Sequence, residues 1–292
     1  MPCDRTWYLT EDLDDFLGRA GDFLRSRPTL HTVPLTVADT LRTRGPHVYG
    51  ARNPLYGVLG DETGGVRAAL LHTPPHPVNL TPLASVEAEE LAARLLARGH
   101  AVPGVSAEQG TAAAFAAAWH RTAGGPSDGL RQRQRLYRLG ELTAPEPAPH
   151  GRARVAGPPD RELVRRWYEE FTAAVGGPAS AAFAADWADS RIAHGGVTVW
   201  EIPDGTPVAM AAVTPKIAGQ IRVTTVYTPA DLRGRGYAGA VTATVSQAAR
   251  QTGAQEVLLF TDLANPTSNG LYQRIGYRPV ADFAVYGFAT GE

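Results

Sequence analysis

The sequence predicts a mixed α/β fold, with a central mixed sheet flanked by helices in each half of the chain. Residues 152–292 carry patterns in the order α-α-β-β-β-α-β-α-β, which is typical of a layered structure. Residues 1–143 repeat this order more weakly. The proline-rich segment 144–151 separates the halves, as stiff exposed linkers do. We therefore predict two domains, 1–143 and 152–292, joined by this linker.

The second half begins with two helical patterns. Leu163, Trp167 and Phe171 share one face of the first helix, which we expect Asp160 to cap. The expected elements are helices at 160–175 and 179–194, strands at 196–202, 207–215 and 220–228, a helix at 236–252, a strand at 256–262, a short helix at 266–276 and a final strand at 277–288.

The first half gives the same outline without obvious sequence identity to the second. Its expected elements are helices at 10–27 and 36–44, strands at 56–61, 66–73 and 76–81, a helix at 85–99, an extended segment at 100–105, a helix at 108–121 and a strand at 135–142. The glycine-containing and arginine-containing stretch near 122–135 predicts a mobile loop. The shared element order suggests a duplicated fold with one degenerate copy.

Composition excludes several classes of protein. The chain has 28 basic and 29 acidic residues, a net charge of -1 and 43% apolar residues. Near-neutral charge and a large apolar fraction argue against a disordered chain and against a nucleic-acid binder. Cys3 is the single cysteine, so neither a disulfide framework nor a cysteine-based metal site is expected. Lys216 is the only lysine, which indicates the codon bias of a GC-rich bacterial genome.

The predicted location is the cytoplasm, and no metal is expected. The N-terminus is polar and acidic rather than a signal peptide, and no apolar run approaches the roughly 18 residues of a membrane span. His72 and His76 have the spacing of a metal pair, but no third ligand lies close to them in sequence. We interpret these histidines as a loop or strand-end pair.

The motif that carries chemistry is a glycine-rich loop between a predicted strand and a predicted helix. Gly234 and Gly236 allow backbone conformations in which successive N–H groups point outward, and the helix start adds positive potential for a phosphate. Arg233 and Arg235 add charge at the same place. A dinucleotide motif through Gly239, a purely structural turn and a coenzyme A diphosphate site are three interpretations.

Two further stretches favour the coenzyme A interpretation. The run from Arg233 to Ala238 resembles the Q/R-x-x-G-x-G/A motif of the GCN5-related N-acetyltransferase (GNAT) superfamily. The run from Asn265 to Tyr277 resembles that family's asparagine–tyrosine segment. The resemblance covers about 152–288, and the first half resembles a decayed copy, as in tandem members. It implies a tandem GNAT-like fold with acetyl-CoA as the cosubstrate.

The resemblance also implies roles for individual residues. Backbone groups of the strand end would bind the pantetheine arm, and the loop would hold the diphosphate. Asn265 would contact the pantetheine amide, and Tyr272 would protonate the leaving thiolate. The implied acetyl-CoA-binding residues are Val226, Tyr227, Thr228, Arg233, Gly234, Arg235, Gly236, Tyr237, Ala238, Gly239, Asn265 and Tyr272.

The general base is not given by the resemblance. Many relatives use a glutamate on the strand before the loop, whereas residues 220–227 contain no acid. Glu201, Asp262 and His194 are the candidates from sequence. Ordered water, or an amine of lower pKa, would serve as alternatives.

The sequence thus predicts an N-acetyltransferase that modifies a small-molecule amine, acting as a monomer or homodimer. A coenzyme A-binding module without catalysis and a nicotinamide oxidoreductase are the alternatives. In the first half, the helix start corresponding to the glycine loop carries Glu87, Glu89 and Glu90 instead of glycines and arginines. These carboxylates would repel a diphosphate, so we expect this half to bind no coenzyme A and to wall the substrate cleft or support the fold.

Overall fold

The computed structural model describes residues 6–124, 127–176 and 180–288. The chain divides into two compact units, and neither is continuous in sequence. The N-terminal unit contains the described residues up to Leu136, together with 262–264 and those from Val280 onward. The C-terminal unit contains Tyr137–Thr261 and Asn265–Pro279. Domain boundaries at 143 and 152 stay a prediction of the sequence.

The N-terminal unit is a sheet packed against helices. Its elements are β1 (Trp7–Thr10), α1 (Leu13–Ser26), α2 (Thr32–Arg44), β2 (Leu55–Gly60), β3 (Val66–His72), β4 (Val78–Leu80), α3 (Ser85–Ala97), β5 (Gly104–Glu108), α4 (Gln109–Ala123), most of β6 (Ser127–Leu139) and most of β12 (Tyr277–Phe288). Neighbouring strands follow the order β1-β2-β3-β4-β5-β12, with β4 and β5 parallel. Leu70, Leu91 and Phe115 lie in its core.

The C-terminal unit is the second layered sheet. Its main elements are β7 (Arg152–Val155), α5 (Arg161–Ala174), α6 (Ala181–Ala193), β8 (Val197–Glu201), β9 (Pro207–Val213), β10 (Gln220–Tyr227), α7 (Tyr237–Gln251), β11 (Glu256–Asp262) and α8 (Pro266–Arg274). Neighbouring strands follow the order β11-β10-β9-β8-β7, and only β10 and β11 in this series run parallel.

Each face of this second sheet has its own core. One face buries Val223, Val241 and Tyr272 with α7 and α8. The other face buries Trp167, Met210 and Tyr227 with α5 and α6. The mixed α/β class predicted from the sequence is confirmed. The strand β10 contributes to both cores, so its two faces look towards different pairs of helices.

Several sequence predictions of local structure were wrong. From Ser127 onward, the mobile loop expected near 122–135 is strand β6, whose alternating arginine and glutamine residues carry no apolar signal; residues 125–126 lie outside the described residues. The strand β7 begins at Arg152, directly after the expected linker, and was not predicted, and the segment expected at 100–105 leads into strand β5 at Gly104–Glu108. The four-residue strand β1 was not predicted, because it is too short to show a pattern.

Asp160 also differs from its predicted role. Its side chain does not cap α5. The carboxylate instead accepts hydrogen bonds from the Arg154 guanidinium at 2.7 and 2.8 Å and from the Gly157 N–H at 2.9 Å. A hydrogen bond from a charged partner is stronger than one from a neutral N–H, so the Asp160 carboxylate binds the arginine instead of the N–H groups at the start of α5.

Across the described residues, no helix combines the length and the apolar character needed to span a membrane.

Candidate functional site

The glycine loop connects β10 to the start of α7. Gly234 and Gly236 have φ angles of +79° and +83°, a region that side chains disfavour. Gly236 is the N-cap of α7 and offers no side-chain cap. The first intrahelical bond is donated by the Ala240 N–H to the Gly236 carbonyl at 3.1 Å. The N–H groups of 237–239 precede that bond, so the helix start presents donors suited to an anion.

Two arginines stand beside these donors. Arg233 Nε donates to the Thr228 carbonyl at 3.1 Å, and Arg235 Nη2 donates to the Asp231 carbonyl at 3.2 Å. Both side chains belong to exposed residues. These bonds tether the two guanidinium groups to the loop. The loop therefore joins helix-start donors with two positive charges, a combination suited to a diphosphate.

The strands β10 and β11 separate beside the loop. Their parallel ladder pairs 220–223 with 256–259, although both strands continue further. The pairing of β10 with β9 shifts register between Thr224 and Tyr227, and Thr225 has a φ of +46°. This bulge bends β10 at the point where its ladder with β11 ends.

Polar groups are buried at this opening without partners. Among the described residues, the hydroxyls of Thr224 and Thr228 are shielded from solvent and form no hydrogen bond. A buried hydroxyl without a partner costs free energy, so such groups call for a ligand or water. The opening, its unpaired hydroxyls and the loop donors fit an extended thioester carrier with a diphosphate at one end.

The segment after β11 brings Asn265 and Tyr272 onto α8. The Asn265 side chain caps this helix by accepting the Ser268 N–H at 3.0 Å. Tyr272 is buried, and burial raises the pKa of its phenol to about 12. A Cβ on Gly239 would lie 3.0 Å from Leu271 Cδ1, so the missing side chain lets α7 approach α8 closely.

The comparisons with known proteins are consistent with this geometry. The family model described as "Acetyltransferase (GNAT) family" matches residues 161–277. This match identifies a GNAT domain at residues 161–277. No curated protein matches the sequence significantly. A fold of this family supports acetyl transfer from an acyl-CoA in general.

Solved structures extend the fold to nearly the whole chain. A GCN5-related N-acetyltransferase from Sphaerobacter thermophilus is 18% identical, with 98% of this chain and 96% of that chain covered and a TM-score of 0.63. A GNAT-family acetyltransferase from Colwellia psychrerythraea is 13% identical, with 97% and 100% covered and a TM-score of 0.60. A tandem GNAT protein from the clavulanic acid biosynthesis pathway is 14% identical, with 98% and 100% covered and a TM-score of 0.58. At these identities the likeness shows the fold, which is tandem GNAT-like.

Within the GNAT domain, Glu201 is held by two arginines. Its carboxylate contacts Arg154 Nε at 2.5 Å and Arg152 Nη2 at 3.1 Å, and its side chain is 10% exposed. Arg154, then Arg152, holds the pKa of Glu201 below its ordinary value. Such a carboxylate is a weak proton acceptor, and it ties β8 to β7.

The other two candidate bases are also engaged. Asp262 accepts the Ala264 N–H at 2.7 Å and the Gln132 Nε2 at 3.4 Å. These bonds stabilise the turn after β11. His194 is exposed at the end of α6, and its Nδ1 donates to the Ser190 carbonyl at 2.7 Å. Each of the three candidates thus has hydrogen-bond partners of its own.

Sequence reasoning missed a carboxylate that reaches β10 from α5. Tyr227 Oη donates a hydrogen bond of 2.6 Å to Glu170 Oε2. Glu170 follows Trp167 by one helical turn, and the Trp167 ring lies 6.1 Å from the Tyr227 ring. The spacing of Trp167 and Glu170 could have indicated that both face the sheet, but the partner strand is not readable from sequence.

The N-terminal unit has a different helix start at the corresponding position. The Glu87 carboxylate accepts the Ala84 N–H at 2.7 Å and lies 3.3 Å from the Arg67 guanidinium. Glu89 pairs with Arg121 instead of capping the helix. A single buried carboxylate therefore occupies the anion-binding end of α3.

The histidines of the N-terminal unit form a hydrogen-bonded pair across strands and loops. His72 is fully buried and its Nε2 donates to the His76 carbonyl at 2.9 Å. Its Nδ1 shares a hydrogen bond of 2.7 Å with His100 Nε2. Across the described ranges, no group of three histidine, cysteine, aspartate or glutamate residues is arranged to hold a metal ion.

Proposed function

We propose that the C-terminal unit transfers an acetyl group from acetyl-CoA to the amine of a small-molecule acceptor. The observation that carries the proposal is the pairing of two features on one strand. The glycine loop opens α7 with backbone donors that no N-cap side chain satisfies and with two arginines, and β10 parts from β11 before this loop. A thioester carrier with a diphosphate needs both features.

In this proposal the residues already named share the binding of acetyl-CoA. Backbone N–H groups from Arg233 to Gly239 hold the diphosphate, and the guanidinium groups neutralise its charge. Backbone groups of Val226 and Thr228 bind the pantetheine arm along β10. Asn265 uses its side-chain oxygen for the helix cap, so its amide nitrogen is the group proposed to contact the pantetheine.

Bound acetyl-CoA supplies an acetyl group activated as a thioester. Tyr272 stays protonated throughout the physiological pH range, because burial raises its pKa to about 12. It is therefore always available to donate a hydrogen bond to the leaving sulfur. A reference thiol has a pKa of about 8.5, which is lower than that of this phenol, so full proton transfer from the phenol to the thiolate is unfavourable. The thiolate then takes its proton from solvent. We assign Tyr272 the donor role on this basis.

The net charge of the chain and one aromatic surface support a small organic amine as the acceptor. The net charge of -1 gives no general attraction for polyanions. On α5 and α6, the Tyr168 and Trp187 rings stack at 4.1 Å, and the Arg191 guanidinium lies 5.8 Å from the Trp187 ring. An aromatic wall of this kind suits a small organic amine. The cytoplasmic location and the monomeric or homodimeric state stay predictions.

A coenzyme A-binding module without catalysis is the second candidate. It is favoured by the absence of an acid along 220–227 and by the two arginines that lower the basicity of Glu201. Such a module would bind acetyl-CoA through the same loop and release no thiol.

Calorimetry and a thiol-release assay separate the two candidates. We expect acetyl-CoA to bind with one site per chain and free thiol to appear with at least one member of a panel of aliphatic, aromatic and hydrazine amines. Binding without turnover across the panel would support the module. If acetyl-CoA does not bind, both candidates are wrong, and binding of NAD should then be measured.

A further inference from the structure

The face of β10 that looks towards α5 carries a hydrogen-bonded pair of a tyrosine and a glutamate. Tyr227 packs in the α5 and α6 core, whereas Val223 and Val226 pack on the α7 side. The hydrogen bond from Tyr227 Oη to Glu170 Oε2 is 2.6 Å. This pair stands on the opposite face of β10 from α7, whose start holds the diphosphate in the proposed function.

The pair is also close in sequence to the bulge. Tyr227 follows Thr225, the residue with φ of +46°, by two positions. Thr224, whose buried hydroxyl has no partner in the described part of the chain, precedes the bulge. A bulge changes the direction of a strand, and this one lies between Thr224 and Tyr227. In this part of β10 the ladder with β11 has already ended, since it covers only 220–223.

The pair connects the strand to solvent. The Tyr227 ring is buried, whereas the Glu170 side chain is 43% exposed. A proton that reaches Glu170 can therefore leave to water. The charged groups around the pair are Arg166, 4.0 Å from Glu170 on the same helix, and Asp231 and Arg233 of the loop, which act on Tyr227 in opposite directions.

We propose that Tyr227 and Glu170 together accept the proton released by the acceptor amine, in place of an acid on β10. The proposal rests on the proposed function, because it assigns a step of acetyl transfer. Tyr227 is the catalytic residue that touches the amine, and Glu170 is the positioning residue that takes the proton from Tyr227.

The step balances without any further reactant. The lone pair of the neutral amine forms a bond to the acetyl carbon, and the carbon–sulfur bond breaks with its electron pair moving to sulfur. The extra proton on nitrogen passes to Tyr227 Oη as the Tyr227 proton passes to Glu170. Tyr272 donates a hydrogen bond to the sulfur, and the proton on Glu170 exchanges with water. The products are the acetamide and coenzyme A.

The test compares Glu170→Gln with its neighbour variant Glu169→Gln. Glutamine keeps a side-chain oxygen that accepts the Tyr227 hydrogen bond, so packing is retained while proton acceptance is lost. Glu169 pairs with Arg165 on another face of α5, which makes it a matched control. We expect Glu170→Gln to lower kcat/KM by about 10²-fold or more and to change the shape of its pH profile, with the control unchanged.

Binding provides the readout that does not depend on turnover. Calorimetry should give the same acetyl-CoA affinity for wild type, Glu170→Gln and Tyr227→Phe, while Tyr227→Phe loses turnover to a similar extent. If Glu170→Gln turns over as fast as the wild type and has the same pH profile, this inference is wrong and the proposed function is unaffected. Weakened acetyl-CoA binding that accounts for the loss would also overturn it, in favour of strand support. Absence of turnover in the wild type would overturn the proposed function and this inference with it.

Discussion

The backbone N–H of Ala84 donates a 2.7 Å hydrogen bond to the carboxylate of Glu87. The start of α3 therefore holds an anion of its own, and Arg67 neutralises it from β3 at 3.3 Å. In the C-terminal unit, α7 starts at Gly236 without a side-chain cap. The two helix starts thus differ in that α3 carries a carboxylate of its own at the N-cap N–H, whereas α7 begins at a glycine without one.

The first prediction concerns stoichiometry. We expect calorimetry to give one acetyl-CoA per chain, because Glu87 fills the competing helix start. Glu87→Ala should lower the free energy of unfolding by about 1 kcal/mol through the lost cap and leave the stoichiometry at one. Glu89→Ala, which breaks an exposed pair with Arg121, is the control for stability. Two acetyl-CoA molecules per wild-type chain would contradict the prediction.

The second prediction concerns Gly236. Alanine there must adopt a φ of +83°, and its Cβ would lie 3.8 Å from Pro149. We expect Gly236→Ala to weaken acetyl-CoA binding by about tenfold or more, because backbone strain of about 1 kcal/mol or more shifts the donors out of place. Gly205→Ala is the control, since Gly205 has a φ of +88° in a turn with open space around it. Equal affinity in the two variants would remove the loop from the binding site.

The third prediction concerns the phenol of Tyr272. We expect Tyr272→Phe to lower kcat by about 10²-fold or more while the acetyl-CoA affinity stays within twofold. Tyr277→Phe is the control, because Tyr277 shares a 2.7 Å hydrogen bond with Ser246 inside the same core. The control should lose about 1 kcal/mol of stability and retain turnover. If Tyr272→Phe is fully active, the sulfur has another donor.

The fourth prediction is a loss of stability in mild acid. Burial, followed by the charge of His100, lowers the pKa of His72 to about 4, whereas an unfolded histidine has a pKa near 6.5. The depressed pKa favours the neutral ring, so its stabilisation is present above pH 6.5 and is lost as the pH falls towards 4. The loss should be about 3 kcal/mol.

Urea unfolding at pH 7 and at pH 4.5 measures this loss. His72→Gln should reduce the pH dependence of the unfolding free energy, and His120→Gln, on the exposed side of α4, should leave it unchanged. The same pH dependence in wild type and His72→Gln would show that other groups cause the acid sensitivity.

Strong periodic patterns made the C-terminal unit predictable. Helix α7 was expected at 236–252 and lies at Tyr237–Gln251, and β10 was expected at 220–228 and lies at Gln220–Tyr227. The strand β6 could not be predicted, because the polar residues from Arg131 to Arg135 show no apolar face in the sequence. Arg135 instead forms a bidentate pair with Asp282 at 2.6 and 2.8 Å, a contact 147 residues away that no local pattern reveals.

The candidate site likewise has a part that the sequence predicts and a part that it does not. The loop from Arg233 to Gly239 could be predicted, since its spacing in the chain fixes its local conformation. The environment of each acid could not, because it depends on partners from other elements. The sequence makes Glu201 a candidate base, but Arg152 and Arg154 lie beside it in the structure, and no pattern in the sequence indicates the bond between Glu170 and Tyr227.

The last strand of the described chain belongs to the unit that is synthesised first. Residues 283–287 of β12 pair antiparallel with 104–108 of β5. On the ribosome, this edge of β5 therefore has no strand partner from β12 until residues 283–287 have been synthesised. The C-terminal unit, whose residues end at Pro279, is complete before that edge is covered. The unit that comes first of the two in the sequence is thus the later one to obtain all of its strands.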